Sequence, residues 1–249
     1  MLRRRLAEAR LAMLLLSRIP AGRIGDPIPA IGASAWAWPL VGAVIAAPAA
    51  LVYLLFHMIG LGAQAAALGM VAAMALLSGA MHEDGLADMA DGFGGGRDKL
   101  RKLEIMRDSR IGSYGVLALI FAVAFQMSLI AELADPSRVI LVAVGISMAS
   151  RSFLPLWLWV LPPARPDGLG QSAAQVSPTA VVMALLFGLL GLLSLGLMTA
   201  LWVGGAMLLC TTLVAMLAKS QIGGQTGDVI GAMQKIAELT GWAVVIALQ

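Results

Sequence analysis

The sequence predicts an all-α fold, a polytopic helical bundle integral to a membrane, and three observations carry that reading. Hydrophobic residues make up 60% of the chain and charged residues only 12%, whereas a soluble domain is about 25% charged. The mean hydropathy is +0.89. Several apolar runs reach the roughly 20 residues that a helix needs to cross a bilayer. Together they imply one membrane domain over residues 1–249, with about six to seven transmembrane helices and no second, soluble domain.

Taken in order, the chain starts with Arg3, Arg4, Arg5 and Arg10 ahead of a short apolar run that ends at Ser17-Arg18. No small-residue cleavage site follows, so this segment reads as an amphipathic helix on the cytoplasmic membrane face and not as a signal peptide. A link over 23–29 leads to a first span at 34–56, with Trp36 and Trp38 as interfacial anchors. A second span at 63–81 is expected to continue out of the bilayer as the polar stretch that follows it. Third and fourth spans, 116–133 and 139–161, flank the turn signal Asp135-Pro136. A loop at 162–178 carries Arg165 and Asp167 and leads to spans at 181–197 and 200–217. A second polar loop, 219–230, precedes a last apolar segment at 236–249 that is short for a span.

Basic residues orient these spans. Six precede the first span and six lie between 82 and 115, while the connections near 58–62 and 196–199 carry none. The positive-inside rule therefore puts the N-terminus and the loops 82–115, 162–178 and 219–230 on the cytoplasmic side. Topology accounts for the net charge of +3, and no nucleic-acid partner is implied; the lipid bilayer is the expected surrounding. Cys210, the one cysteine, lies in an apolar run and excludes both a disulfide framework and a cysteine-based zinc site.

The polar chemistry concentrates in 82–115, which holds seven of the fourteen acidic and six of the seventeen basic residues. Asp84, Asp88 and Asp91 are spaced i, i+4, i+7, along one face of a helix. Three anions so close repel one another, and at the C-terminal end of a helix the macrodipole adds to the cost. A hard cation such as Mg²⁺ or Mn²⁺ fits this all-oxygen donor set, completing its shell with water and phosphate oxygens. Gly92, Gly94, Gly95 and Gly96 are expected to stop the helix. Arg97, Lys99, Arg101, Lys102, Arg107 and Arg110 then offer donors for phosphate. Carboxylates beside phosphate-binding cations point to transfer chemistry on a phosphoanhydride; a solvated, salt-bridged loop is the plainer alternative. Arg151, inside the fourth span, should have an anionic partner and stands as a plausible inner wall of the site. Gly223, Gly224, Thr226, Gly227 and Asp228 form a second cluster, a weak signal alone.

The stretch HEDGLADMADGFGGG, followed by KLEIMRDSRIGSYGVLAL, resembles the signature of the cobalamin synthase family, the adenosylcobinamide-GDP ribazoletransferases. GGQTGDVIGA resembles that family's second polar motif and Ser17-Arg18-Ile19-Pro20 its N-terminal one, so the resemblance spans nearly the whole chain. Gln234-Lys235 stand where the family commonly has an acidic residue, with Glu238 further on. The resemblance implies a multi-pass, Mg²⁺-dependent enzyme of the bacterial inner membrane with its active site facing the cytoplasm. Its small-molecule substrates would be adenosylcobinamide-GDP and α-ribazole or α-ribazole 5′-phosphate, giving adenosylcobalamin or its phosphate and GMP.

On that basis Asp84 and Asp88 are expected to hold metal, Asp91 to be a metal ligand or the base, and His82 to be a second base. Arg97, Arg107, Arg110 and Arg151 are expected to hold phosphates. Asp108 is a further catalytic candidate, and Asp228 is expected to join the metal shell across more than a hundred residues of sequence, the alternative being that it caps the last helix. A phosphatidyltransferase-like or prenyltransferase-like enzyme and an ion-coupled transporter lined by Arg151 are the competing readings. The sequence leaves a homo-oligomer open.

Overall fold

A computed structural model describes residues 2–173 and 175–249, apart from the side chains of Leu169 and Gln171. The chain runs through α1 (Leu2–Leu16), a 3-10 turn (Ile31–Ala37), α2 (Trp38–Met58), α3 (Ala63–Ser78), α4 (Met81–Gly95) and α5 (Lys99–Ile105). It continues through α6 (Ser113–Leu133), α7 (Pro136–Ser152), α8 (Leu154–Val160), α9 (Leu169–Ala173), α10 (Pro178–Leu193), α11 (Leu197–Ile222) and α12 (Gly227–Ala247). Among the described residues the β structure amounts to an isolated parallel bridge between Pro163 and Gln225.

Among the described residues, five helical segments are long and apolar enough to cross a membrane: Ile31–Met58, Ser113–Leu133, Pro136–Val160, Leu197–Ile222 and Gly227–Ala247. The bent pair α3 and α4 makes a sixth if counted as one span, and α10 is a shorter apolar helix. Phe121, Leu201, Trp202, Leu209 and Met216 lie exposed on α6 and α11, an outer surface that suits lipid and not water. The protein is an all-α, multi-pass membrane protein.

One expectation about the polar stretch is corrected and another is refined. The carboxylate row does not continue the second span, because Gly79 (φ +69°) and Ala80 (φ +54°) both adopt the left-handed conformation. Their N–H groups donate back to Leu76 and Ala75, closing α3, and α4 leaves at 90° to it. Asp84 therefore sits in the first turn of its own helix, where the positive end of the dipole favours a carboxylate. The glycines do stop α4, but only at the end of their run: the helix continues through Gly92 and Gly94 to Gly95 and closes at Gly96. At Gly92 a Cβ would meet the Met106 side chain at 2.4 Å and the Lys102 carbonyl oxygen at 3.0 Å, so the residue is small because α5 and its C-cap pack on it.

The second polar loop is also shorter than expected. α11 extends to Ile222 and closes at Gly223, and Thr226 caps α12 by accepting the Val229 N–H at 3.2 Å. The last segment thus becomes a 21-residue helix with Lys235 and Glu238 in its interior. One apolar core gathers Leu16, Trp38, Leu86, Met89, Leu158 and Ile230 around α4 and the start of α12. A second gathers Tyr53, Met70, Ile130, Ile146 and Trp242 around the far half of α12.

Candidate active site

The site is built where α4 crosses α12. Gly85 and Gly231 meet at the crossing: a Cβ on Gly85 would lie 2.7 Å from the Asp228 carbonyl oxygen and 3.2 Å from the Gly231 Cα. Backbones this close bring Asp84 and Asp88 of α4 into the electrostatic reach of Asp228 on α12, and Asp88 feels Asp84, Asp228 and Asp91 as like charges. Sequence distance is thereby cancelled, and Asp228 joins the row.

A loop covers this cluster from one side. Ala164 N–H donates to the Gln225 carbonyl (2.8 Å) and Gln225 N–H to the Pro162 carbonyl (2.9 Å), while the Gln225 side chain donates to the Gly170 carbonyl (3.1 Å). So laced to the α11–α12 turn, the loop delivers Arg165 to Asp228 at 2.6 Å. Thr226 Oγ1 donates to the same carboxylate oxygen at 3.1 Å. Beyond it, Asp167 forms an ion pair with Arg107. A cavity of about 220 Å³ lies beneath, lined on its polar side by His82, Asp84, Asp228, Arg165 and Asp167. Its apolar wall comes from Leu15, Leu16, Trp38, Leu154 and Leu158.

Not every expected residue faces this cavity. Asp91 is buried, and its two oxygens accept the N–H groups of Gly112 (2.7 Å) and Gly115 (2.9 Å). It caps the N-terminus of α6, whose first amides have no intrahelical partner, instead of presenting a free oxygen as metal ligand or base. Asp108 and Arg110 pair with each other at 2.7 Å in the exposed loop, outside the cavity walls. The Arg110 hydrogen bonds hold the Asp108 carboxyl down to about 2. Arg97 is exposed and also outside the walls. Arg107 reaches the rim through Asp167. Arg151 is corrected from a phosphate ligand to a structural charge, since it is 2% exposed and its guanidinium donates to the Ser147 carbonyl (3.1 Å) and hydroxyl (2.6 Å).

Arg151 belongs to a buried ionic cluster that the sequence reading missed. Lys235, 1% exposed, lies 2.9 Å from Glu83 and 3.5 Å from Glu238 and donates to Gln126 at 2.6 Å. Gln234 donates to Ser150 at 3.0 Å. Glu83 and Glu238 also lie within the field of Arg151, so two acids balance two bases. His82 sits between this cluster and the cavity, with Nε2 unpartnered among the described residues.

Among the described residues no three His, Cys, Asp or Glu side chains come together closely enough to hold one metal ion. The donor set suits an open site instead. Asp84 and Asp88 have no hydrogen-bond or ion-pair partner among the described residues, whereas Asp91, Asp108, Asp167 and Asp228 all have one. Mg²⁺ characteristically takes one or two carboxylates and fills its octahedron with water and phosphate oxygens.

Known proteins extend the comparison. Residues 8–246 match the family model described as cobalamin-5-phosphate synthase. A protein of Bradyrhizobium diazoefficiens named adenosylcobinamide-GDP ribazoletransferase is 43% identical over 98% of this chain and 95% of its own length. Proteins of the same name from Azorhizobium caulinodans and Mesorhizobium japonicum are 42% and 39% identical, each over 94% of this chain and over 93% and 90% of their own lengths. No solved structure matches the chain.

Proposed function

The chain belongs to the cobalamin-5-phosphate synthase family, and from that premise we propose that it transfers the adenosylcobinamide phosphate moiety of adenosylcobinamide-GDP to α-ribazole or its 5′-phosphate, releasing GMP. The observation that carries the reading is the cavity that brings Asp84, Asp228 and Arg165 together from three separate parts of the sequence. The family gives no support to the phosphatidyltransferase-like, prenyltransferase-like or transporter alternatives.

In this reaction a ribazole hydroxyl oxygen bonds to the corrinoid-bearing phosphorus while the bond from that phosphorus to the GMP oxygen breaks. His82, on the cavity wall with an unpartnered Nε2, takes the hydroxyl proton. Arg165 and Arg107, each held at the rim by one aspartate, exchange that aspartate for phosphate oxygens and answer the charge that develops on departing GMP. Asp84 and Asp88, with Asp228 beside them, are the residues to hold Mg²⁺, which would neutralise the pyrophosphate and orient it. Leu154, Leu158 and Trp38 offer the apolar ribazole ring a wall from which water is excluded.

The basic residues of α1 and of the 97–110 segment favour the cytoplasmic leaflet of a bacterial inner membrane for this end of the molecule. The test is direct. Purified protein, given adenosylcobinamide-GDP, α-ribazole and Mg²⁺, should release GMP and yield a complete corrinoid in equal amounts. Failure to release GMP with either ribazole substrate would refute the reading.

A further inference from the structure

We infer that Lys235 is a positioning residue, whose ammonium fixes the roll of α4 against α12 and so holds Asp84 beside Asp228. The inference rests on the site just proposed.

Asp228, Gly231 and Lys235 stand at i, i+3 and i+7 and therefore share one face of α12. Among the contacts of that face with α4 two levels stand out, the first shared by the Asp228 carbonyl and Gly231. At the first, Gly231 meets Gly85 backbone to backbone. Such a contact sets how closely the helices approach; roll depends on side chains, where Leu86 and Met89 in the apolar core and Asp91 on the α6 amides act alongside a polar tie to α12. The second is the 2.9 Å ion pair between Lys235 and Glu83, one residue before Asp84.

Neighbouring residues on a helix are about 100° apart around the axis. Any roll that releases Glu83 swings Asp84 and Asp88 through the same angle. With side chains about 5 Å from the axis, a roll of about 20° displaces a carboxylate by about 2 Å. A displacement of about 1 Å is enough to cost a reaction about a hundredfold in rate.

Lys235 is equipped to resist that roll. Gln126 of α6 and Glu238, three residues along α12, hold the ammonium from two other directions, so it is pinned to three helices at once. Its burial, 1% exposed, and its absence from the cavity walls exclude direct contact with substrate. Its charge, with that of Arg151, balances Glu83 and Glu238, so removing it leaves a buried acid unanswered.

Lys235→Gln and Glu83→Gln each break the second contact from one side. In steady-state assays of GMP release by purified, folded protein, both variants should lose about a hundredfold in kcat with little change in KM for adenosylcobinamide-GDP. Wild-type kcat per folded molecule in either variant overturns the inference. If Lys235→Gln fails to fold, Glu83→Gln decides alone, because its carboxyl lies nearer the surface and Lys235 keeps Glu238.

A second readout is independent of turnover. With Cys210 replaced, a bifunctional thiol reagent should cross-link Asp84→Cys to Asp228→Cys while Lys235 is present, and at least about tenfold more slowly once Lys235→Gln is added, the tenfold corresponding to roughly 1.4 kcal/mol of lost preference for the aligned state. Equal rates overturn the positioning role. If wild-type protein releases no GMP while the double-cysteine variants show this contrast, the proposed activity falls and the role of Lys235 stands.

Discussion

On either side of the Gly85–Gly231 contact lies a group of charges, and the two are treated in opposite ways. Deeper in the bundle, Glu238, Lys235 and Arg151 are buried and Glu83 mostly so, and acids match bases. Towards the cavity, Asp84 on its wall and Asp88, one turn along α4 and outside the lining, have no hydrogen-bond or ion-pair partner among the described residues, although Asp228 lies close by. Burial of an unmatched charge is expensive, so the deep group is neutral by necessity. The cavity group keeps an excess of acid that Arg165 answers at Asp228, and the proposed Mg²⁺ would answer the rest. The same contrast recurs within α4: Asp91 spends both oxygens on α6 while Asp84 and Asp88 spend none.

Substitutions at the two groups should therefore fail differently. The largest effect is expected from Asp84→Asn or Asp88→Asn, with GMP release falling by about a thousandfold or more while the protein still inserts and melts normally in detergent. Substantial turnover at saturating Mg²⁺ would remove these carboxylates from the reacting set. Next, Arg151→Met leaves two buried acids facing Lys235 alone and should cost about 3–5 kcal/mol of stability, read as a lowered melting temperature. A normal melt combined with lost turnover would return Arg151 to the list of substrate ligands. Smaller still, Asp91→Ala should cost about 0.5–2 kcal/mol as a lost helix cap, with kcat per folded molecule preserved. A stable but inactive Asp91→Ala would make the comparison within α4 false.

Legibility in the sequence followed the same division. The Asp row was readable because helical spacing is a local property, and the convergence of Asp228 was expected from glycines and topology together. The 90° turn at Gly79-Ala80 was signalled only by the Ser78-Gly79 dipeptide, because apolar residues resume at Ala80 and Met81 and hydropathy does not register direction. Nor does sequence reveal that Asp91 looks toward Gly112, since capping another helix is decided by where that helix begins in space. Arg165 sits among Pro162, Pro163 and Pro166, in a segment with no period to read; only its lacing to Gln225 brings it to Asp228. Lys235 and Glu83 each looked like an ordinary charge, and their pairing exists only once α4 has folded back onto α12.

The cavity wall supplied by Leu15 and Leu16 has a practical bearing on how the protein is handled. Any fusion partner or affinity tag placed ahead of Leu2 pulls on a helix whose far end is part of the cavity wall. α12 begins at the cavity with Gly227 and ends at Ala247, about 30 Å away at the helical rise. A purification handle after Gln249 therefore hangs from the opposite side of the molecule, and an enzyme that looks dead with an N-terminal tag deserves a second assay with the tag moved there.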